Sequence, residues 1–133
     1  MLKFTEEKIF TKEQVRELFL SVGWKSGEYP QKLYKALMNS QTVLTVWDDA
    51  RLVGLIRVLD DSEMLAQIHY VLVHPEYQGQ GIAGRMVEYI KEKYKNFMYL
   101  ELMPEDKNNV PFYEKHGFHV MENGAAMQIC NIN

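Results

Sequence analysis

Three glycines fall within six residues of this chain, at Gly79, Gly81 and Gly84. They separate an almost continuously apolar run that ends at Val73 from a run with helical spacing that continues to Tyr94. Glycine lets a backbone come close to a ligand, and the first N–H groups of a helix have no partner inside that helix. A strand, a glycine-rich turn and a helix in this order therefore predict a cradle for an anion such as phosphate. No Gly-Lys-Ser/Thr follows the glycines, so an ordinary P-loop is excluded.

Composition places the chain among globular proteins of one compact domain, residues 1–133, with 47% hydrophobic and 25% charged residues. A net charge of −3 argues against a dedicated nucleic-acid binder, which needs a concentrated cationic face. No run approaches the roughly 18 apolar residues of a membrane span, and we expect no signal peptide in Met1-Leu-Lys-Phe-Thr-Glu-Glu. We therefore expect no membrane partner. The single cysteine, Cys130, cannot form an intrachain disulfide, so we expect a cytoplasmic protein.

Hydrophobic periodicity predicts a mixed α/β chain in the order β-α-α-β-β-β-α-β-α-β-β, with helices on both faces of a mixed sheet. A capping-box pattern at Thr11 and Gln14 opens the first helix, and Gly23 closes it. The predicted strands are 2–4, 42–47, 52–59, 64–73, 97–103, 118–121 and 126–132, and the predicted helices are 11–23, 30–39, 81–94 and 109–116.

One interpretation of the glycine segment is dinucleotide binding. The spacing Gly79-x-Gly81-x-x-Gly84 matches that fingerprint, and Glu101 on the next strand lies near the position of a ribose-binding acid. A dinucleotide unit places its first glycine directly after the strand, whereas residues 75–78 intervene here. Dinucleotide binding therefore stays an alternative to a second interpretation.

The second interpretation rests on two motifs. Residues 78–83, Gln-Gly-Gln-Gly-Ile-Ala, fit the pattern Gln/Arg-x-x-Gly-x-Gly/Ala, and Val-Leu-Val-His-Pro-Glu-Tyr at 71–77 leads into it. Downstream, residues 108–118 contain an Asn, then a Phe-Tyr pair on a short helix, then Gly-Phe. In this order and spacing, the chain resembles the GNAT acetyltransferase superfamily, as a small single-domain member of bacterial type.

The resemblance implies a GNAT fold in which strands 64–73 and 97–103 splay apart. It also implies an enzyme that moves an acetyl group from acetyl-CoA directly to a primary amine of a small molecule or peptide, with no metal. Tyr113 would be the general acid at the thioester sulfur. A homodimer through the apolar segment 126–132 is a further expectation. The residues implied to bind acetyl-CoA are Leu72, Val73, Gln78, Gly79, Gln80, Gly81, Ile82, Ala83, Gly84, Asn108 and Tyr113.

The general base stays open. Some relatives carry a catalytic Glu on the central strand where this chain has Gln67, which cannot accept a proton. His69 and Glu101 are the candidate bases, and an ordered water is the third possibility. The same glutamine keeps alive a catalytically inactive CoA-binding sensor as an alternative function. The break between the first two helices would wall the acceptor pocket, with Trp24, Tyr29 and Tyr34 as candidate substrate residues.

Overall fold

The computed structural model describes residues 1–132, which fall into two compact units, Met1–Leu102 and a second that begins at Met103. The single domain expected over 1–133 stays a prediction. The first unit contains β1 (Leu2–Thr5), α1 (Lys12–Ser21), α2 (Pro30–Met38), β2 (Thr42–Asp48), β3 (Arg51–Asp60), β4 (Leu65–Val73), α3 (Ile82–Lys93) and β5 (Tyr99–Leu102). The second unit contains α4 (Val110–Lys115).

The five strands form one sheet in chain order, β1-β2-β3-β4-β5. Neighbours from β1 to β4 are antiparallel, and β5 alone runs parallel to its neighbour β4, with α3 as the connection between them. A dinucleotide-binding fold needs a mostly parallel sheet. The dinucleotide interpretation is therefore wrong for this fold, and the predicted mixed sheet is confirmed.

β4 and β5 are paired over only a short length. Their ladder ends at Ile68 and Leu102, whereas β4 continues beside β3 as far as Val73. His69, the next residue of β4, is the extra residue of a β-bulge against β3. Because β5 ends at Leu102, β4 has no strand partner on this side beyond Ile68, and the splaying of the two strands stays a prediction.

Helices cover both faces of the sheet. On one face, α3 buries its apolar side against the strands, and its first residue, Ile82, comes down on β3 at Gly54. A Cβ at Gly54 would lie 3.3 Å from the Ile82 side chain, so a larger residue there would lift the start of α3. On the other face, α1 and α2 pack with strand residues into one buried cluster of Phe10, Val15, Leu18, Phe19, Leu33, Leu37, Val43, Trp47, Leu52, Leu55 and Leu72.

Two predicted strands are wrong. Neither 118–121 nor 126–132 forms a strand, and the sheet takes no strand from these residues. Their apolar composition favours β-structure, but a strand needs a neighbour to complete its backbone hydrogen bonds. Met127 and Ile129 instead are 92% and 89% exposed. The homodimer expected through 126–132 stays a prediction.

The predicted capping box of α1 is confirmed. The Thr11 hydroxyl accepts a hydrogen bond from the Gln14 N–H at 3.2 Å, and the Gln14 side-chain oxygen accepts one from the Thr11 N–H at 2.8 Å. Two backbone donors that the helix itself cannot satisfy are thereby paired.

Thr11→Ala should lower the free energy of unfolding by about 1 kcal/mol, because it removes the acceptor at the start of α1. Chemical denaturation measures the change. Ser21→Ala is the control, since the Ser21 hydroxyl donates to the Leu18 carbonyl near the other end of the same helix. Equal stability losses in the two variants would contradict the role of the capping box.

Candidate functional site

Two glycines with left-handed backbone conformation turn the chain from β4 into α3. Gly79 has a φ of 82°, and Gly81, the residue that precedes the helix, has a φ of 81°. This conformation is unfavourable for residues with a Cβ. A Cβ built on either glycine meets no atom within 4 Å, so the space over this turn is open. A ligand can therefore approach the backbone closely.

Six consecutive amides at this turn have no hydrogen-bond acceptor within residues 1–132. They run from Gly79 to Gly84, and Gly81 offers no side chain to cap α3. The first backbone bond of the helix joins the Arg85 N–H to the Gly81 carbonyl at 3.1 Å. Unpaired amides at the start of a helix also carry the positive end of its dipole. The arrangement can bind an oxyanion through backbone groups alone.

Side-chain bonds fasten the approach to this turn to the β2–β3 hairpin. The Arg51 guanidinium donates to the Glu76 carboxylate at 3.1 Å and lowers the pKa of that carboxyl group. The Tyr77 hydroxyl donates to the Asp48 carboxylate, which raises the pKa of Tyr77. The segment between β4 and the glycines is therefore held at two points on the hairpin.

The end of β4 carries two predicted cofactor residues, Leu72 and Val73, whose side chains are buried. The backbones of both pair with β3 on one edge of the strand. The Gln78 side chain donates a hydrogen bond to the Val73 carbonyl at 3.0 Å, which ties the first residue of the glycine motif back to the strand. Gln78 thus stabilises the turn through a side-chain hydrogen bond to the end of β4.

Two positions expected to matter for proton removal lie side by side. Gln67 is the partner of Glu101 in the parallel β4–β5 ladder, so both side chains leave the sheet on the same face. Gln67 and Tyr70 share that face as well, because their partners on β3, Leu59 and Arg57, are two residues apart. This is the face that α1 and α2 cover, since Tyr70 packs against their core cluster.

Arg57 holds the other candidate base, His69. The Arg57 Nη1 donates to the His69 Nδ1 at 2.7 Å. A guanidinium only donates, so Nδ1 is the acceptor and the neutral ring carries its proton on Nε2. In this tautomer His69 is a hydrogen-bond donor on its remaining nitrogen, which suits a base poorly. An ionised Glu101 has two oxygens, and both of them accept hydrogen bonds.

The three aromatic residues predicted to wall an acceptor pocket have different neighbours. Trp24 lies against β4, with its ring 5.8 Å from that of Tyr70. Tyr34 packs edge-on against Phe10 at 6.1 Å, and Tyr29 precedes the first residue of α2 and is 38% exposed. Trp24 thus contacts β4, the strand that carries His69.

The second unit contains the other sequence motif. The Asp106 carboxylate accepts from the Asn108 N–H at 2.8 Å, within a single helical turn that leads into α4. On α4, the Tyr113 ring lies 5.9 Å from that of Phe118, edge to face. Burial raises the pKa of Tyr113, so its hydroxyl is protonated at neutral pH and can donate.

Arg57 was not among the predicted site residues. The available signal was one cation inside the otherwise apolar run 52–59, although such a residue most often points to solvent. Within residues 1–132, no three His, Cys, Asp or Glu side chains are grouped to hold a metal ion. No helix in the same range has the length and apolarity needed to cross a membrane.

Comparisons with known proteins agree on one family. Residues 9–118 match the Acetyltransferase (GNAT) family. An uncharacterized N-acetyltransferase of Bacillus methanolicus is 34% identical over 92 residues, which cover 68% of this chain and 72% of that protein. An uncharacterized ycf52-like N-acetyltransferase of Prochlorococcus marinus is 28% identical over 126 residues, 91% of this chain and 69% of the relative.

Solved structures give the same result for the fold. A protein of unknown function from methicillin-resistant Staphylococcus aureus is 31% identical, with a TM-score of 0.84 and coverage of 98% of this chain and 99% of that one. A GNAT family acetyltransferase of Streptococcus pneumoniae is 28% identical, with a TM-score of 0.81 and coverage of 100% and 98%. Since the family match extends over most of the sequence and includes both motifs, the chain belongs to the GNAT family of acetyltransferases.

Proposed function

We propose that this protein is an N-acetyltransferase that transfers the acetyl group of acetyl-CoA directly to a primary amine of a small molecule or peptide. The observation that carries the proposal is the row of unpaired amides from Gly79 to Gly84 at the start of α3. Each bond from such an amide to a charged oxygen contributes about 1.5–3 kcal/mol. Three or four of them would hold the diphosphate of CoA without a lysine. A cytoplasmic location goes with this proposal.

The strands suggest a path for the rest of the co-substrate. Beyond Ile68, β4 no longer pairs with β5, so the edge of β4 up to Leu72 and Val73 is the natural partner for an extended, amide-containing arm. Asn108 would contact the same arm. Acetyl-CoA supplies a thioester carbonyl carbon, to which a neutral amine adds.

Protons have to move at both ends of the reaction. An alkyl ammonium with a pKa near 10.4 is not nucleophilic, and removing its proton at pH 7 requires about 4–5 kcal/mol. We assign that step to Glu101, directly or through a water, because Nδ1 of His69 is occupied by Arg57. The leaving sulfur needs a proton, and the protonated hydroxyl of Tyr113 is our general acid.

Ligand binding tests the first part of the proposal. Acetyl-CoA at about 100 times its Kd should add about 2.7 kcal/mol of stability and raise the Tm by several degrees. NAD should leave the Tm unchanged. Release of free thiol from acetyl-CoA, followed across a panel of primary amines, then tests the transfer. Stabilisation by acetyl-CoA without thiol release in the presence of any amine would favour the CoA-binding sensor. Stabilisation by NAD alone would refute both the acetyltransferase and the CoA-binding sensor.

Gly81→Val should weaken acetyl-CoA binding strongly, because a side chain would fill the open space over the turn and disfavour its backbone conformation. Gly23→Val is a matched control: Gly23 also has a positive φ, 74°, and open space around it, but it lies at the end of α1. Both variants should lose similar stability in thermal unfolding. Isothermal titration should detect weaker acetyl-CoA binding only in Gly81→Val. Wild-type affinity in that variant would contradict the cradle.

Tyr113→Phe should lower kcat by at least about a hundredfold and leave acetyl-CoA affinity nearly unchanged, because only the proton donor is removed. Tyr89→Phe serves as the control, since the Tyr89 hydroxyl donates to the surface carboxylate of Glu6. Steady-state kinetics and titration of acetyl-CoA measure the two quantities separately. A kcat equal to that of the control would remove Tyr113 as the acid.

A further inference from the structure

Arg57 is a half-buried cation that has no carboxylate partner within residues 1–132. None of the ion pairs in this part of the chain includes it. Its Nε donates to the Ser40 hydroxyl at 2.9 Å, and its Nη1 donates to the His69 Nδ1 at 2.7 Å. Its guanidinium carbon lies 5.5 Å from the centre of the Tyr70 ring. None of these three neighbours is a carboxylate that could balance the positive charge of Arg57.

These contacts fix the guanidinium without neutralising it. Ser40 is 2% exposed and holds the inner edge of the group, and the exposed His69 flanks its outer edge. Two of the five N–H donors are used, so three stay available. Burial lowers the pKa of Arg57, as expected for a cation with no counter-charge. An anionic ligand would supply that counter-charge and the missing acceptors.

The position of Arg57 relates it to the proposed chemistry. Arg57 on β3 and Glu101 on β5 lie on the same face of the sheet, with β4 between them. Their backbones are two strand spacings apart, about 10 Å across the sheet, and are offset by two residues, about 7 Å, along it, because Leu59 is the β3 residue in register with Glu101. His69 follows Ile68, the last residue of β4 that pairs with β5. This face therefore has a cation on one side of β4 and an acidic residue on the other.

We propose that Arg57 binds a carboxylate of the acetyl acceptor, and that the acceptor is an amine which also carries a carboxylate, as a small amino acid does. The inference rests on the proposed acetyl transfer and narrows its substrate class. The flat edge of a guanidinium matches the two oxygens of a carboxylate. The amine of the same molecule would lie toward Glu101, where its positive charge is favoured before the proton is removed.

The separation of the two groups limits the size of the acceptor. The arginine and glutamate side chains span much of this separation, so the carboxylate and the amine would be a few bonds apart. A free amino acid with a short spacer fits this distance.

Matched amine pairs test the proposal. The acids β-alanine and 4-aminobutyrate are compared with their primary amides at equal concentrations of free-base amine. Wild-type protein should have a kcat/KM at least about tenfold higher for each acid. Arg57→Gln should lower the value for the acids by about ten- to a hundredfold and leave the amides unchanged. Arg16→Gln, on the exposed side of α1, should behave as wild type.

The ratio of acid to amide within one variant is insensitive to the fraction of folded protein, so a stability loss in Arg57→Gln does not affect it. Arg57→Lys provides a second check, because it keeps the charge but lacks the planar edge, and its ratio should lie between wild type and Arg57→Gln. Phosphoethanolamine tests the other oxyanion: a kcat/KM above those of both acids would overturn the carboxylate assignment.

Two failures are distinguishable. If acetyl-CoA does not bind and no amine is acetylated, the proposed function fails. If the amides are acetylated as well as the acids, or if Arg57→Gln lowers both equally, acetyl transfer stands and the carboxylate site is wrong. A direct readout is the NMR signal of the His69 ring, which 4-aminobutyrate should shift in wild type and not in Arg57→Gln.

Discussion

The structure depends on how firmly the start of α3 is held against the sheet. Six amides without internal partners form a binding site only if they keep one geometry, and a mobile turn would lose much of that interaction to ordering entropy. Contact of Ile82 with the bare backbone of Gly54 fixes the helix from below. Bonds from the β2–β3 hairpin to Glu76 and Tyr77 fix the turn from the side. Most of the fold therefore serves as a rigid support for a few exposed N–H groups.

The two faces of the sheet have different tasks. The face under α3 is apolar and anchors the helix, whereas the face under α1 and α2 combines an apolar cluster with Gln67, Tyr70 and Arg57. Because buried polar groups are unfavourable without partners, the two half-buried polar side chains there are tied to neighbours, Tyr70 to the Ser26 hydroxyl at 2.7 Å and Arg57 to the Ser40 hydroxyl at 2.9 Å. Polar residues held in this way keep their positions beside the part of β4 that has no partner in β5.

How far the sequence predicts this protein depends on whether a feature is local. Helical periodicity, the capping box at Thr11 and the glycine-rich turn before α3 are each encoded in short stretches of sequence, and the structure agrees with all three. The strands expected at 118–121 and 126–132 fail because pairing requires a second segment, which composition does not reveal. Arg57 escaped notice for the same reason: its partners, Ser40 and His69, are 17 and 12 residues away in the chain.

The bulge at His69 changes which positions of β4 face each side of the sheet. Before it, Ala66 and Ile68 point toward α3; after it, Tyr70 and Leu72 point toward α1 and α2, although all four positions are even-numbered. Loss of His69 would restore simple alternation and leave these faces as they are, whereas loss of another residue of β4, with the bulge kept, would move the residues on one side of the deletion to the opposite faces. Outside the bulge, the number of residues in β4 is therefore constrained as strongly as their identity.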